Sequence, residues 1–420
     1  MAKMRGGIEI WLEQLNSVDI APDGKTARFG GGILNKEAKE ALWAAGKQAG
    51  HQWAKHGEVT GSCECVSLLG PGLGGGHGFL QGRYGLVSDQ FVAMDVVLAD
   101  GSLRTIDAGS DLWWAMQGAG HNFGIVTSVT SKIYDIKHRD WAAASFIFDG
   151  SKVEQLYDAI NEHLLKNGTR PVDVLDFSVF INNPEVDPDK VRTYGVCVVR
   201  MCRANKSQPM VLFFVMQEGA SEVDPSYTAP FTALKPLISG TNQGTYLDIP
   251  SWIGISTDGP TCQKTEQVKM HFPLDLQVYS PAGQRQIYDL FASATRKIPA
   301  LNASSLLFEG YSVQGVRAVG SESTAYPFRA NNLIVSPEIK YTPAGPDIDR
   351  EAIQLGTRLR EILHQASGRK EMDTYVNYAA GVETVQQMYG HEPWRLKKLR
   401  DLKRKYDPHG RFNFYAPIVA

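Results

Sequence analysis

The chain has 420 residues, of which 43% are hydrophobic and 21% are charged, and this is an ordinary globular composition. Its formal net charge of −2 gives no reason to expect binding to nucleic acid or to an anionic membrane surface. No apolar run reaches the roughly 18 residues of a spanning helix, the first residues contain no signal-peptide core, and the length indicates about two domains.

The first predicted elements are two strands and a helix. A turn over Pro22–Lys25 separates the predicted strands Ile8–Leu12 and Thr26–Gly30. Asn35 is a suitable N-cap for a helix over Lys36–Ala49, whose apolar residues recur along one face. The chain therefore begins as a mixture of strand and helix.

A glycine-rich stretch follows from Gly61 to Asp89, with nine glycines and two cysteines. Glycine at this density is costly to order, so a folded protein keeps it where the backbone turns sharply or lies against a ligand. A phosphate-binding P-loop is excluded, because no Gly-Lys-Ser or Gly-Lys-Thr follows the glycines. Gly70, Gly72 and Gly75 match a Rossmann fingerprint in letters, but the residues after them break any helix. Both common nucleotide loops are therefore rejected.

Beyond this stretch the pattern changes from a hairpin to a longer region of alternating strands and helices. Phe91–Ala99 and Ser102–Ile106 predict a hairpin with an Asp-Gly turn, and Asp111–Gln117 predicts a short helix. From about residue 137 glycine becomes rarer. The strands predicted there are Ala142–Phe148, Val172–Ile181, Val191–Arg203, Met210–Glu218, Leu306–Val313 and Leu333–Tyr341. The helices predicted there are Val153–Leu165, Gln284–Lys297 and Asp347–Gln365. This pattern predicts a second α+β region with a sizeable antiparallel sheet.

Several motifs along the chain resemble one group of flavoproteins. In the glycine-rich stretch they are Cys63-Glu64-Cys65-Val66, Gly74-Gly75-Gly76-His77-Gly78 and Tyr84-Gly85-Leu86 followed by Asp89. Further on they are Met94 to Gly101, Asp111 to Met116, Gly118 to Thr127, Tyr375-Val376-Asn377-Tyr378 and Tyr406 to Phe412. Together these motifs resemble the FAD-linked oxidases of the berberine-bridge-enzyme type, in the vanillyl-alcohol-oxidase-like group. Ser67 stands where that family usually has glycine.

The resemblance implies an α+β fold with a split PCMH-type FAD-binding domain. Residues 1–137 and 371–420 would form the two parts of that domain, and residues 138–370 an inserted substrate-binding domain with an antiparallel sheet covered by helices. The implied cofactor is FAD. The implied reaction is oxidation of a small organic substrate, a secondary metabolite or a sugar, by hydride transfer to flavin N5 with O2 as acceptor. The alternative is a non-redox protein on the same fold, which binds a ligand or assists a cyclisation with flavin weakly held or lost.

The resemblance also implies the cofactor-binding residues. Cys63 aligns with the position of the covalent cysteinyl–flavin bond, although a buried structural cysteine is the commoner fate of a free cysteine. Cys65 is expected to be inert. The remaining cofactor contacts are expected at Gly72, Gly74, Gly75, Gly76, Tyr84, Asp89, Gly124, Ile125, Val126 and Asn377. For the three consecutive glycines the alternative is a turn that merely packs.

The catalytic candidates are Tyr375, Tyr378 and Glu309. A strand over the Tyr-x-Asn-Tyr motif would put Tyr375 beside Asn377 and turn Tyr378 aside. A phenol with its pKa near 10 must have that pKa lowered to serve as a base near neutrality, which a neighbouring cation or a second tyrosine would achieve. Ordinary sheet packing is the alternative for the two tyrosines, and a solvated surface is an equally good interpretation for Glu309. The substrate residues expected in the inserted domain are Tyr311, Gln314 and Arg329, for which a solvated surface is an equally good interpretation.

Two further features of the sequence bear on the cofactor site. Five cysteines do not make a disulfide framework, their odd number leaves at least one unpaired, and Cys-x-Cys with His51, His56 and His77 lacks the spacing of a metal site. The chain also lacks a match to the family's N-terminal phosphate-binding loop, whose histidine forms a second flavin bond. We therefore expect an N-terminally incomplete flavin domain in which Cys63 is the one remaining covalent anchor. Compartment and oligomeric state are left open.

Overall fold

The computed structural model describes residues 6–48, 60–166, 168, 170–182 and 208–419. The predicted strand Val191–Arg203 and the histidines His51 and His56 lie outside the described residues. Among the described helices, none combines the length and the apolar character needed to cross a membrane.

The N-terminal region is built on a five-stranded antiparallel sheet with strand order β1-β2-β6-β4-β5. A two-stranded sheet pairs β3 with β7. The strands are β1 (Val18–Ile20), β2 (Thr26–Gly30), β3 (Lys47–Gln48), β4 (Phe91–Val97), β5 (Leu103–Asp107), β6 (Ile125–Lys132) and β7 (Tyr134–Asp135). The helices are α1 (Asn35–Ala44) and three single turns, α2 (Leu69–Gly72), α3 (Gln81–Tyr84) and α4 (Trp113–Met116).

The central region contains an eight-stranded antiparallel sheet with strand order β11-β8-β10-β9-β14-β15-β12, and β13 also pairs with β15. Its strands are β8 (Asp140–Phe148), β9 (Val174–Ile181), β10 (Met210–Glu218), β11 (Ile238–Thr245), β12 (Val268–His271), β13 (Leu274–Leu276), β14 (Ser305–Gly310) and β15 (Leu333–Tyr341). Its helices are α5 (Val153–Ala159), α6 (Pro225–Ala233), α7 (Ile249–Trp252), α8 (Pro281–Lys297), α9 (Gln314–Arg317) and α10 (Pro346–Ala366). The chain ends with α11 (Val385–Tyr389) and α12 (Pro393–Tyr406).

Both faces of the eight-stranded sheet are buried, and this decides where the site lies. Along β8, Ala142 and Ala144 belong to one hydrophobic core, while Trp141 and Ala143 belong to the other, as the alternation of strand side chains requires. The first core includes residues of α5, α8 and α10. The second core also contains residues of the N-terminal sheet, such as Phe29. One face of the large sheet therefore meets the helices, and the other meets the N-terminal region.

Several predicted elements change in the structure. The predicted strand Ile8–Leu12 is wrong, because these residues form no strand and their apolar side chains are mostly exposed; Ile8 is 85% exposed. The partner of Thr26–Gly30 is instead Val18–Ile20, on the near side of the predicted turn. The predicted strand through Tyr375 and Tyr378 is also wrong, because Val376–Tyr378 is a 3₁₀ turn. These changes alter the fold locally, and the last one reshapes the site.

Candidate active site

The centre of the candidate site is the carboxylate of Glu309, near the end of β14. Phe308 points into the helix-covered core, so alternation along the strand turns Glu309 towards the N-terminal region. The carboxylate accepts two hydrogen bonds, from the Tyr311 hydroxyl at 2.6 Å and from the Tyr378 hydroxyl at 2.7 Å. Glu309 is 5% exposed, so these two phenols supply the hydrogen bonds that a buried carboxylate needs.

Tyr375 and Tyr378 enter the site from the same 3₁₀ turn. Such a turn has three residues per revolution, so residues three apart lie on one side. The ring centroids of Tyr375 and Tyr378 are accordingly 5.2 Å apart, and Tyr378 is not turned aside. Asn377 Nδ2 donates to the Tyr375 hydroxyl at 2.6 Å and to the carbonyl of Pro71 at 2.9 Å. The turn is thereby tied to the glycine-rich stretch.

His77, within the glycine motif, forms the opposite side of the tyrosine cluster. Its Nδ1 lies 2.7 Å from Gln81 Oε1, and its Nε2 lies 2.9 Å from the Tyr326 hydroxyl. Gln81 Nε2 donates to the carbonyl of Ser312, so the oxygen of Gln81 faces the ring and accepts the proton on Nδ1. Burial lowers the pKa of His77 to about 4, so the neutral ring accepts from Tyr326 at Nε2. The His77 and Tyr375 rings meet edge to face at 4.7 Å.

Cys63 lies beside this cluster as a free, half-buried thiol. The hydroxyl of the preceding Ser62 is 3.1 Å from the Tyr311 hydroxyl, which links the cysteine segment to Glu309. Cys65 is not inert as expected, because it forms a disulfide with Cys262. Burial raises the pKa of the Cys63 thiol.

The tyrosines of the site are poorer bases than the sequence suggested. Burial raises the pKa of all four phenols around the cluster, which are Tyr311, Tyr326, Tyr375 and Tyr378. None of these four tyrosines has the lowered pKa that a phenolate base requires. Burial also raises the pKa of Glu309 and outweighs the two phenol hydrogen bonds, which lower it. The pKa of this carboxyl therefore lies closer to neutral pH than its ordinary value does.

The glycines of the motif pack against side chains of this chain on the side where a Cβ would stand. A Cβ at Gly74 would lie 2.2 Å from Asn377 Oδ1, and one at Gly76 would lie 2.7 Å from Val87. Gly75 has a φ of +101° and lies against the ring of Tyr326. The backbone turn and these close approaches explain why larger residues do not fit at these positions. Gly72 is similarly close to the ring of Phe91.

Arg329 and Asp89 form a buried ion pair with each other. Arg329 Nη2 donates to Asp89 Oδ1 at 2.7 Å, and Nη1 donates to Oδ2 at 2.9 Å. Both side chains are at most 5% exposed. The same guanidinium also donates to the hydroxyl of Thr324 at 2.8 Å and to the carbonyl of Val316 at 3.3 Å. The interpretation of Arg329 as solvated surface is wrong, as it is for Tyr311, which is also buried.

The contacts of the other predicted residues are with partners other than Glu309. The Tyr84 ring stacks on that of Tyr134 at 5.7 Å. Gln314 Nε2 donates to the carbonyl of Arg170. Gly124 lies against Val96, and the two residues after it form the start of β6, with Ile125 half-buried and Val126 buried.

Sequence reasoning missed several residues that the structure brings to this region. His77 was considered only as a metal ligand, although its place inside the glycine motif was a usable signal. Tyr326 and Cys262 gave no local signal, because their partners lie far away in the chain. His271 was also missed, and its ring stacks on that of Tyr378 at 5.1 Å.

Comparison with known proteins assigns this arrangement to a family. The model described as FAD binding domain matches residues 2–107, and the model described as berberine and berberine like matches residues 374–419. The FAD-linked oxidoreductase chyH of Penicillium rubens is 47% identical over 419 residues, which are 100% of this chain and 78% of the relative. The chain belongs to the FAD-linked oxidoreductases of the berberine-bridge-enzyme type. The FAD-linked oxidoreductase chry5 of Gibberella zeae is 46% identical with the same coverage.

The fold of this FAD-linked oxidoreductase agrees with solved structures. The xylooligosaccharide oxidase from Myceliophthora thermophila C1, in complex with xylobiose, has a TM-score of 0.73 and 20% sequence identity, covering 97% of this chain and 81% of that one. The predicted family, the α+β fold with an FAD-binding PCMH-type domain, and FAD as cofactor are confirmed.

The residues on the candidate site suit a flavin enzyme in their chemistry. Cys63 offers a free sulfur nucleophile, and the buried carboxylate–phenol cluster around Glu309 offers groups that hold and move protons. When bound, FAD supplies the hydride acceptor, which none of these side chains can replace.

Proposed function

We propose that this FAD-linked oxidoreductase oxidises a carbon that bears an alcohol or amine in a small organic substrate, and that Glu309 accepts the substrate proton. The observation that supports this proposal is the pair of phenol hydrogen bonds to the buried Glu309 carboxylate, at 2.6 and 2.7 Å. A carbon–hydrogen bond gives up a hydride readily only if the attached oxygen or nitrogen loses its proton to a positioned base.

Glu309 is a better candidate for the base than Tyr375. The pKa of each is raised by burial, but a carboxyl starts far below neutrality and a phenol starts far above it. Burial therefore moves the pKa of Glu309 from its low ordinary value towards neutrality, whereas it moves the pKa of Tyr375 further above neutrality. In this scheme the Tyr378 and Tyr311 hydroxyls orient the carboxylate and pass the proton between substrate and Glu309. Tyr375 and Asn377 position the turn that carries Tyr378.

Cys63 is proposed as the covalent anchor of the flavin. It is the one free cysteine among the described residues, and the adjacent Ser62 hydroxyl contacts the Tyr311 of the acid–base cluster at 3.1 Å. Residues around Gly74 and Asn377 are proposed to hold the flavin ring against this cluster. The substrate is proposed to be a secondary metabolite or a sugar, and O2 to be the final electron acceptor.

Cofactor attachment is tested on purified protein. We expect absorbance near 450 nm, with the colour remaining in the pellet after acid precipitation. The variant Cys63→Ala should move the colour to the supernatant, whereas the control Val66→Ala, at an exposed position nearby, should keep it in the pellet. Colour in the supernatant of the wild type would contradict the covalent bond, and a colourless wild type would contradict the oxidase function.

The base is tested by the rate of flavin bleaching without oxygen. Suitable probes are xylobiose for sugars, 4-hydroxybenzyl alcohol for aromatic alcohols and a cyclic secondary amine for alkaloids. With any probe that reduces the wild type, Glu309→Gln should lower the bleaching rate about 10²- to 10⁴-fold, because a general base contributes that range. Tyr378→Phe should cause a smaller loss, since it leaves the carboxylate in place. A normal rate in Glu309→Gln would contradict the assignment, and oxygen uptake in air tests the acceptor.

A further inference from the structure

Three sulfur atoms meet beside the candidate active site. Cys63 Sγ lies 3.7 Å from Cys65 Sγ and 3.7 Å from Cys262 Sγ, and the latter two are joined in a disulfide. All three sulfurs lie within 4.8 Å of one another. The free thiol is therefore in contact with both ends of a disulfide, although Cys262 is 197 residues away from Cys65 in the chain.

The segment that carries Cys262 is held against the Cys63–Cys65 segment independently of the disulfide. The backbone N–H of Glu64 donates to the carbonyl of Ile255 at 3.1 Å, and Glu64 Oε2 accepts from the backbone N–H of Thr257 at 2.9 Å. These bonds would keep the three sulfurs close even when the pairing between them changes.

A buried cation supports negative charge at this cluster. Lys39 of α1 is 4% exposed, and its ammonium has no hydrogen-bond partner among the described residues. The positive charge of Lys39 favours the thiolate of Cys63, whereas Glu64 and Glu309 and the burial of the sulfur oppose it. A thiolate is the form that attacks a disulfide.

We propose that Cys63, Cys65 and Cys262 form a thiol–disulfide exchange site with two alternative pairings. After rotation of the Cys63 side chain from its position beside the disulfide into line with the Cys65–Cys262 bond, the Cys63 thiolate attacks Cys262 Sγ, a Cys63–Cys262 bond forms, and the Cys65–Cys262 bond breaks. The electron pair of the broken bond leaves with Cys65, which takes up the proton that Cys63 lost, so no oxidant or reductant is consumed. Closure between Cys63 and Cys262 is favoured over closure between Cys63 and Cys65, because a Cys63–Cys65 bond would have to close a small ring across a single intervening residue, Glu64.

The exchange would decide whether the flavin anchor is available. This consequence rests on the proposed role of Cys63 as the covalent anchor. With the pairing Cys65–Cys262 the Cys63 thiol is free to react with flavin, and with the pairing Cys63–Cys262 it is blocked. Once Cys63 is bonded to flavin, exchange cannot occur, so attachment would fix the disulfide in the pairing seen here.

The pairing is tested by mapping the sulfurs of the full chain under non-reducing conditions. N-ethylmaleimide labels the free cysteine, and cleavage after Glu64 by an endoproteinase specific for glutamate separates Cys63 from Cys65 before mass spectrometry. In molecules without flavin we expect two populations, one labelled at Cys63 and one labelled at Cys65 with Cys63 joined to Cys262. Label at Cys63 with none at Cys65, unchanged after prolonged incubation at pH 9, would overturn the proposal.

Two variants keep the test decisive. Cys65→Ser, oxidised in air, should contain a Cys63–Cys262 disulfide and no flavin in the acid pellet, whereas label at both Cys63 and Cys262 in this variant would overturn the proposal. Lys39→Met should slow the appearance of label at Cys65, because the variant lacks the positive charge that favours the Cys63 thiolate. The control Lys25→Met, at an exposed position in the first hairpin, should not. Mapping the sulfurs requires no flavin. The exchange proposal can therefore fail while the oxidase function is upheld, and the reverse is also possible.

Discussion

The buried pair of Arg329 and Asp89 gives a sharp prediction, because the sequence suggested roles in binding substrate and cofactor for them. The structure gives them two short charge-assisted hydrogen bonds to each other, at 2.7 and 2.9 Å, in a place where neither is more than 5% exposed. Replacing Asp89 by Asn leaves a buried guanidinium without a counter-charge. We expect this to lower the free energy of unfolding by about 3–5 kcal/mol, the usual cost of breaking a buried pair.

The reverse change, Arg329→Met, should cost a similar amount. The double variant Asp89→Leu/Arg329→Met should cost less than the sum of Asp89→Leu and Arg329→Met alone, by about 1–3 kcal/mol, because no charge is then left buried. Urea-induced unfolding, followed by tryptophan fluorescence, measures the four variants and the wild type. The reasoning is refuted if Arg329→Met keeps the unfolding midpoint of the wild type and only raises KM, since Arg329 would then serve the substrate.

Three further predictions concern buried groups outside the candidate site. Burial and the charge of Asp373 raise the pKa of Asp275 to about 7. The folded chain therefore keeps a proton that the unfolded chain loses above about pH 4, so stability falls between pH 4 and 7, by at most about 4 kcal/mol. Asp275→Asn should flatten that decline when urea midpoints are compared at pH 4.5 and 7.5. Gly118→Ala should lower the thermal midpoint strongly, because the new Cβ would lie 2.2 Å from the backbone nitrogen of Tyr326 at a φ of +137°. Tyr389→Phe removes a hydroxyl that donates to the carbonyl of Ala416 at 2.6 Å, and should cost about 1–3 kcal/mol in urea unfolding.

The sequence predicted best the elements whose signal is local. Met210–Glu218 and Leu333–Tyr341 are strands with the predicted bounds, because long apolar and β-branched runs leave little choice of conformation. Ile8–Leu12 has a similar apolar appearance but lacks a strand to pair with, and the hairpin instead uses Val18–Ile20. A strand forms only where a partner strand is available, so the apolar pattern of Ile8–Leu12 alone could not decide whether these residues form one.

The candidate site depended on contacts that the sequence does not encode locally. Glu309 and Tyr378 are 69 residues apart, and Asp89 and Arg329 are 240 residues apart. The family motifs pointed to the right part of the chain, but a strand was assumed where the backbone makes a 3₁₀ turn. That single difference in backbone period decides whether Tyr378 faces Glu309 or turns away from it.

The charges around Cys63 connect the two chemistries proposed for this site. Glu309 must be able to become an anion to accept a proton, and each increase in its negative charge makes ionisation of the nearby Cys63 less favourable. Lys39 opposes this effect, but burial lowers its own pKa to about 8, so its support of a thiolate weakens as the pH rises through that value. At any given pH, the Cys63 thiolate is therefore favoured in molecules whose Glu309 holds its proton and whose Lys39 carries its charge. The proposed acid–base catalysis requires Glu309 as the anion, which disfavours the Cys63 thiolate. If Cys63 attaches to flavin before turnover begins, the attachment no longer depends on the charge of Glu309 during catalysis.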